Sequence, residues 1–146
     1  MLTVTRDDGF VISADPGRID VDRVHHWLST DTYWATGRPR ELVERSIGNS
    51  RTYGVYRSDG EQVAVARVVT DEATFAWLCD VYVDRAVRGR GLARWLVEAI
   101  RDDLEAVGVR RILLGTWDAH GVYEKVGFAP LDRPDRWMEY DRRPPL

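Results

Sequence analysis

The chain predicts an α/β fold with an antiparallel meander at its centre, and three observations carry that expectation. Between Ala73 and Val83 the residues alternate, with Phe75, Trp77, Cys79, Val81 and Val83 on one face and Ala76, Leu78, Asp80 and Tyr82 on the other. From Gly91 the period changes: Leu92, Leu96, Ile100 and Leu104 recur at four-residue steps, one face of a long helix. Between Thr52–Arg57 and Gln62–Val69 lies Ser58-Asp59-Gly60, a hairpin turn signal.

The remaining elements follow in order. Gly9–Ala14 reads as a first strand. Asp20–Leu28 reads as a short helix with Val21, Val24 and Leu28 on its apolar side, followed by the loop Ser29–Pro39, rich in Tyr, Trp, Thr and Gly. Glu41–Ile47 reads as a second short helix ended by Gly48-Asn49. After the meander, Gly108 closes the long helix and Arg111–Leu114 reads as a short strand. Asp118 then caps a helix carrying Ala119, Val122, Tyr123 and Val126, which Gly127 ends. Arg136–Tyr140 reads as a last strand. The predicted order is β-α-α-β-β-β-α-β-α-β.

The chain has 146 residues, the size of one domain, and we expect a single domain over 1–146. Its net charge of −3 argues against a nucleic-acid partner. One cysteine, Cys79, excludes an intrachain disulfide and a cysteine-based zinc site, and we expect no metal. No apolar stretch approaches the ~20 residues of a membrane span. The opening MLTVTRDDGF lacks the form of a signal peptide. The expectation is a cytoplasmic protein without a membrane partner.

Against this acidic background "VDRAVRGRGLARWL", residues 83–96, concentrates four arginines and two glycines where the strand gives way to the long helix. Backbone N–H groups at a helix N-terminus lack intrahelical partners and carry partial positive charge. Glycines let the chain curl closely around an anion, and Arg88 and Arg90 add full charge. The stretch reads as a phosphate cradle; the alternative is a solvated arginine turn that caps a surface helix. It is not a P-loop, which needs Gly-x4-Gly-Lys-Ser/Thr. Nor is it a dinucleotide fingerprint: the third glycine is missing, and Glu105, about 20 residues on, lies within the same helix.

The stretch "LCDVYVDRAVRGRGLARWLVEAI" resembles the acyl-CoA-binding motif of the GCN5-related N-acetyltransferases, the GNAT family. That motif is Arg/Gln-x-x-Gly-x-Gly/Ala after a strand; Arg88, Gly91 and Ala93 match its fixed positions and Gly89 a frequent extra glycine. Downstream, "YEKVGF" resembles the family's second signature, Tyr-x-x-x-Gly-Phe. The likeness spans Val63 to Phe128 by motif and the N-terminal part by element order.

The resemblance implies a mixed, largely antiparallel sheet flanked by helices, with splayed central strands and acetyl-CoA as co-substrate. It implies that Arg88, Gly89, Arg90, Gly91, Leu92 and Ala93 hold the pyrophosphate, and that backbone groups of Val81, Tyr82 and Val83, beside a bulge, pair with the pantetheine arm. Arg85 or Arg94 would be candidates for the 3′-phosphate. Tyr123 falls where the family places a general acid for the departing thiolate. The family often has Asn seven residues earlier, where this chain has Thr116.

The general base is open. Asp80, near the expected bulge, would suit that role if burial raised its pKa; the alternative is a hydrogen-bonded structural carboxylate. His120, His25-His26 and a water relay are further candidates, while Glu41 and Glu44 read as solvated helix charges. Cys79 raises a covalent acyl-cysteine route, against a role as a small buried hydrophobe. The acceptor pocket would draw on Tyr33, Trp34 and Trp137. An aromatic wall of this kind attracts a cationic amine; the Arg-Pro pairs at 38–39 and 133–134 and Arg136 equally suit a carboxylate-bearing amine, and packing in the core or a dimer seam is the remaining alternative. The functional expectation is transfer of an acetyl group to a primary amine, a small molecule, by direct attack in a ternary complex. The alternatives are a non-catalytic acyl-CoA-binding module and O-acyl or longer-acyl transfer. Homodimers are common in the family.

Overall fold

A computed structural model describes residues 1–145. Six strands form one sheet in the order β1-β2-β3-β4-β5-β6, with β1 Thr3–Thr5, β2 Val11–Ser13, β3 Arg51–Tyr56, β4 Gln62–Thr70, β5 Ala76–Val83 and β6 Ile112–Leu113. Every neighbouring pair is antiparallel except β5 and β6, which run parallel. The helices are α1 Val21–Asp31, α2 Arg40–Gly48, α3 Leu92–Ala106 and α4 His120–Glu124. No helix among the described residues is long and apolar enough to cross a membrane.

Helix α3 covers one face of the sheet. Its buried Leu92, Leu96, Val97, Ile100 and Leu104 meet Ile12, Tyr53, Val55, Ala64, Ala66, Val68, Ala76 and Leu78, as the four-residue period predicts. Helices α1 and α2 cover the other face, where Val24, Trp27, Leu28, Val43 and Ile47 meet Val65 and Tyr82. Each helix lays one apolar stripe on the sheet, and burial of those stripes is the main stabilising term.

Local hydrogen bonds explain where the elements depart from expectation. Helix α1 runs three residues beyond Leu28. The hydroxyls of Ser29, Thr30 and Thr32 donate to the carbonyls of His25, His26 and Leu28, each four residues back, which keeps the turn helical. Strand β5 starts at Ala76 rather than Ala73, because the Asp71 carboxylate accepts the N–H groups of Ala73, Thr74 and Phe75 and holds them in a turn. The three-residue β1 was not expected; it pairs with β2 as a hairpin closed by Arg6 and Phe10. The last strand expected over Arg136–Tyr140 does not form. Pro134–Arg136 make one 3₁₀ turn, and Met138 and Tyr140 stand in solvent.

The strict alternation of β5 breaks as well. Val65 pairs with Tyr82 and Arg67 with Cys79, so Asp80 and Val81 together oppose Ala66: a β-bulge, with Asp80 at φ +52°. Leu78 therefore packs beneath α3 while Tyr82 packs beneath α1, on opposite faces. The bulge brings Asp80 to the interhelical loop Thr32–Arg38, where it meets Trp34 and Arg38.

Candidate active site

β5 and β6 pair only at Ala76–Ile112 and Trp77–Leu113. Beyond Trp77 the edge of β5 that faced β6 has no strand partner, so the two strands part into a gap flanked by Leu78 to Val83. Backbone N–H and C=O groups along such an edge are a ready template for an extended ligand. The bulge expected beside Val81 is present at Asp80-Val81.

At the head of the gap stands the glycine turn. Gly91 is the residue before α3 and adopts φ +72°, and Gly89 adopts φ +81°. A methyl group at either would meet nothing within 4 Å, so the turn opens on free space. The first intrahelical bond is from Trp95 N–H to the Gly91 carbonyl. The N–H groups of Leu92, Ala93 and Arg94 are thus left outside the helical ladder. Unpaired N–H groups at the head of a helix are donors suited to an anion.

The turn's arginines are tied from the side. Asp31, at the end of α1, accepts two hydrogen bonds from Arg85 at 2.6 and 2.7 Å and one from the Tyr82 hydroxyl at 2.6 Å. Arg85, and after it Tyr82, holds the Asp31 carboxyl well below the usual carboxylate range. Arg88 donates to the Val83 carbonyl at 2.9 Å and lies over the Tyr82 ring. Arg94 pairs with Glu98 at 2.9 Å. Of the two candidates for the 3′-phosphate, then, each already has a carboxylate partner. The side chain of Tyr82 stacks on Trp27 and anchors α1, so only its backbone is left for a ligand.

Tyr123 lies on α4, half-buried, with Phe128 at its ring edge. Burial, with Tyr33 and Asp118 nearby, pushes its phenol up to about 12, so it carries its proton at neutral pH. The cap expected of Asp118 does not form: α4 follows Ala119 with no side-chain cap, and the Thr116 hydroxyl accepts the Ala119 N–H in the turn before the helix. Tyr33 stacks on Trp117 at 3.9 Å, accepts the Trp117 N–H through its hydroxyl at 2.9 Å, and meets Trp34 edge-on. Trp117 was not foreseen: it lies 84 residues from Tyr33, and nothing in its own neighbourhood marks it.

The Trp34 indole N–H donates to Asp80 Oδ1 at 2.8 Å, and Arg38 and Arg67 both donate to Asp80 Oδ2 at 2.9 Å. Burial alone would raise the Asp80 pKa, but Arg38 and Arg67 outweigh it and the carboxyl is lowered. The raised pKa that would have suited a base is therefore not found. Asp80 is an ionised anchor whose oxygens are occupied by three donors. Cys79 beside it is half-buried, and burial pushes its thiol up to about 11 despite the two arginines, which disfavours the thiolate that an acyl-cysteine would need. Trp137 does not join the aromatic group. It lies over Arg111, whose carbonyl accepts the Ala76 N–H at the far end of β5. His120 is exposed on α4, at the surface rather than at the bulge.

The arrangement is an open strand edge with a glycine turn at one end. Trp34 links the Asp80-arginine cluster to Tyr33 and Trp117. The model of the acetyltransferase (GNAT) family matches residues 21–128. A Gibberella zeae protein, provisionally named an acetyltransferase, is 29% identical over 140 residues, covering 83% of this chain and 78% of that protein. A GNAT-family crystal structure from Xanthomonas campestris pv. campestris is 42% identical over 90% of this chain and 92% of its own, with a TM-score of 0.85. N-acetylglutamate synthase from Neisseria gonorrhoeae, complexed with coenzyme A and N-acetyl-glutamate, shares the fold at a TM-score of 0.67 and 18% identity. The match covers 84% of this chain and 28% of that one.

Proposed function

The chain belongs to the GNAT acetyltransferase family, and on that premise we propose that it transfers an acetyl group from acetyl-CoA to the nitrogen of a small primary amine by direct attack in a ternary complex. The observation that carries this reading is the gap beyond Trp77–Leu113, along the free edge of β5 between the Asp80 bulge and the glycine turn. A coenzyme A thioester has a diphosphate at one end of its pantetheine arm and a reactive carbonyl at the other, and would lie along the gap in that order. The N–H groups of Leu92, Ala93 and Arg94 would hold the diphosphate. The free edge of β5 around Val81, Tyr82 and Val83 would hold the amide-bearing arm. The Neisseria enzyme of this fold, with coenzyme A bound, supports the same choice of co-substrate.

In the reaction the amine nitrogen attacks the thioester carbon, a C–N bond forms and the C–S bond breaks. The departing thiolate takes the proton of the Tyr123 hydroxyl, which is held ready by a pKa of about 12. The nitrogen, cationic once the C–N bond has formed, gives up its extra proton through water, and a proton from solvent restores the phenol. The amine must shed a proton before attack, since a lysine-like ammonium titrates at about 10.4. Asp80 is committed to two guanidiniums, so that proton leaves through water. Asp80 positions Trp34 and the two arginines rather than accepting a proton.

The test is the melting temperature with and without saturating acetyl-CoA, with ATP and NAD as controls. Ligand at ~100 times Kd adds ~2.7 kcal/mol, a rise of roughly 5–15 °C for a domain of this size. A rise with acetyl-CoA alone is expected. No rise with acetyl-CoA, or a larger one with NAD, rejects the reading. Release of free thiol with an amine panel then separates an enzyme from an acyl-CoA-binding module.

A further inference from the structure

The cluster around Asp80 carries one charge too many. Two guanidiniums, Arg38 and Arg67, with side chains 19% and 16% exposed, share a single carboxylate that is 3% exposed. Their other hydrogen-bond partner is neutral: Arg67 Nη1 donates to the Ser50 hydroxyl at 3.1 Å. A surplus cation in a largely desolvated site is costly unless an anion meets it. The geometry leaves a place for one. Arg38 spends only Nη1 on Asp80, so the edge formed by its Nε and Nη2 keeps the paired donors that match a carboxylate fork.

The place is also fixed. Gly37 N–H bonds the Ser29 carbonyl, Arg38 N–H bonds the Ala35 carbonyl, and the Thr36 hydroxyl bonds the Thr32 carbonyl, so the loop that carries Arg38 is held along its length. Arg67 stands on β4, opposite Cys79. Through Trp34 the cluster joins Tyr33, Trp117 and the neighbourhood of Tyr123.

We infer that Arg38 and Arg67 receive the carboxylate of the acceptor, so that the substrate class is amino acids or similar amines that carry a free carboxylate. The inference rests on the acetyltransferase reading above. One surplus positive charge balances a monoanion, which favours a carboxylate over a phosphate dianion. Asp80 keeps the two guanidiniums in register, and its neighbour Val81 borders the gap where the thioester would lie. The acceptor's anionic end and its nitrogen are thereby held on the same side of the bulge.

The experiment measures thiol release from acetyl-CoA with the standard amino acids. Each is set against its own carboxamide, and O-phosphoethanolamine against ethanolamine. At least one amino acid should exceed its amide by ~10-fold or more in kcat/KM, because a site built to pair a group rejects the analogue that lacks it. Arg38→Met should abolish that preference while the melting rise with acetyl-CoA persists. Arg38→Lys, which keeps the charge and removes the fork, should raise the KM for the acid severalfold if the methionine variant does not fold. The inference is overturned in any of four cases: amides serve as well as acids, the phosphate-bearing amine is preferred, no amino acid is used although acetyl-CoA raises the melting temperature, or the Arg38 variant that folds keeps the preference. A protein that acetyl-CoA does not stabilise fails the acetyltransferase reading itself, a separate outcome.

Discussion

Two arginine clusters bracket the gap, and each is organised by one aspartate. At the cofactor turn, Asp31 gathers Arg85 and Arg88 with the Tyr82 hydroxyl, in a setting where the Arg85 side chain is 69% exposed. At the bulge, Asp80 gathers Arg38, Arg67 and Trp34 almost out of reach of water. The same pairing has different consequences in the two places. Exposed ion pairs contribute little and are screened by salt, whereas a buried charge stripped of its partner is strongly destabilising. In the proposal the exposed cluster aligns a loop that would meet the diphosphate through its backbone, and the buried cluster is a fixed charge pattern that would meet a carboxylate through its side chains.

The largest effect expected from this contrast is at the bulge. Asp80→Ala leaves two largely buried guanidiniums without their shared anion and should destabilise the fold by about 3–5 kcal/mol, read as a fall of roughly 10 °C or more in melting temperature. Among the described residues Asp80 is also one of two non-glycine residues at positive φ, and aspartate tolerates that conformation better than alanine. A melting temperature within a degree or two of the unaltered protein would make the bulge cluster equivalent to the surface one and dissolve the contrast.

Chemistry comes next. Tyr123→Phe should leave the melting rise with acetyl-CoA intact and lower kcat by ~10²-fold, the usual scale for a general acid. Its phenol, pushed up to about 12, should keep activity from falling on the alkaline side through pH 9. An unchanged kcat would remove Tyr123 from the reaction.

At the turn, Gly91→Ala places a methyl group in the open space of the cradle and forces alanine to φ +72°, at about 1–2 kcal/mol of strain. Gly60→Ala, in the distant β3–β4 hairpin at φ +93° with equally open surroundings, carries the same kind of strain. Both should lower the melting temperature by several degrees, but only Gly91→Ala should weaken acetyl-CoA binding, by ~10-fold or more, the equivalent of 1.4 kcal/mol. Equal affinities for the two variants would take the diphosphate away from the turn.

The two clusters also differ in how far the sequence exposes them. The turn is contiguous from Arg88 to Ala93, and its residue types alone announce an anion. The long helix α3 and the β3–β4 hairpin are equally legible, because period and turn chemistry are local. The bulge cluster is not local. The partners of Asp80 lie 13, 42 and 46 residues away, so the residue is recognisable as a candidate while its charge state is not: the arginines that lower its pKa come from another strand and from a loop. Arg67 reads in sequence as one polar residue in an apolar strand. Arg38 reads as half of an Arg-Pro pair, and Tyr33 gives no sign of Trp117. The failed strand at Arg136–Tyr140 has the same origin, since alternation shows what a segment could pair with but not whether an edge is offered to it.

The smallest effect belongs to Asp31. Its folded-state pKa is depressed, first by Arg85 and then by the Tyr82 hydroxyl. The stability it contributes is therefore present above the ordinary carboxylate pKa and is lost as pH falls through and below that value. Asp31→Asn should lower the melting temperature slightly at pH 7 and low salt. The difference from the unaltered protein should shrink as salt screens the exposed pair, and should shrink progressively as pH falls below the ordinary carboxylate pKa. Acetyl-CoA affinity should fall modestly, since Arg85 and Arg88 lose their alignment but the backbone cradle remains. A difference that persists in high salt would mean that Asp31 acts through the packing of Tyr82 on Trp27 rather than through charge, and the exposed cluster would then hold its arginines much as the buried one does.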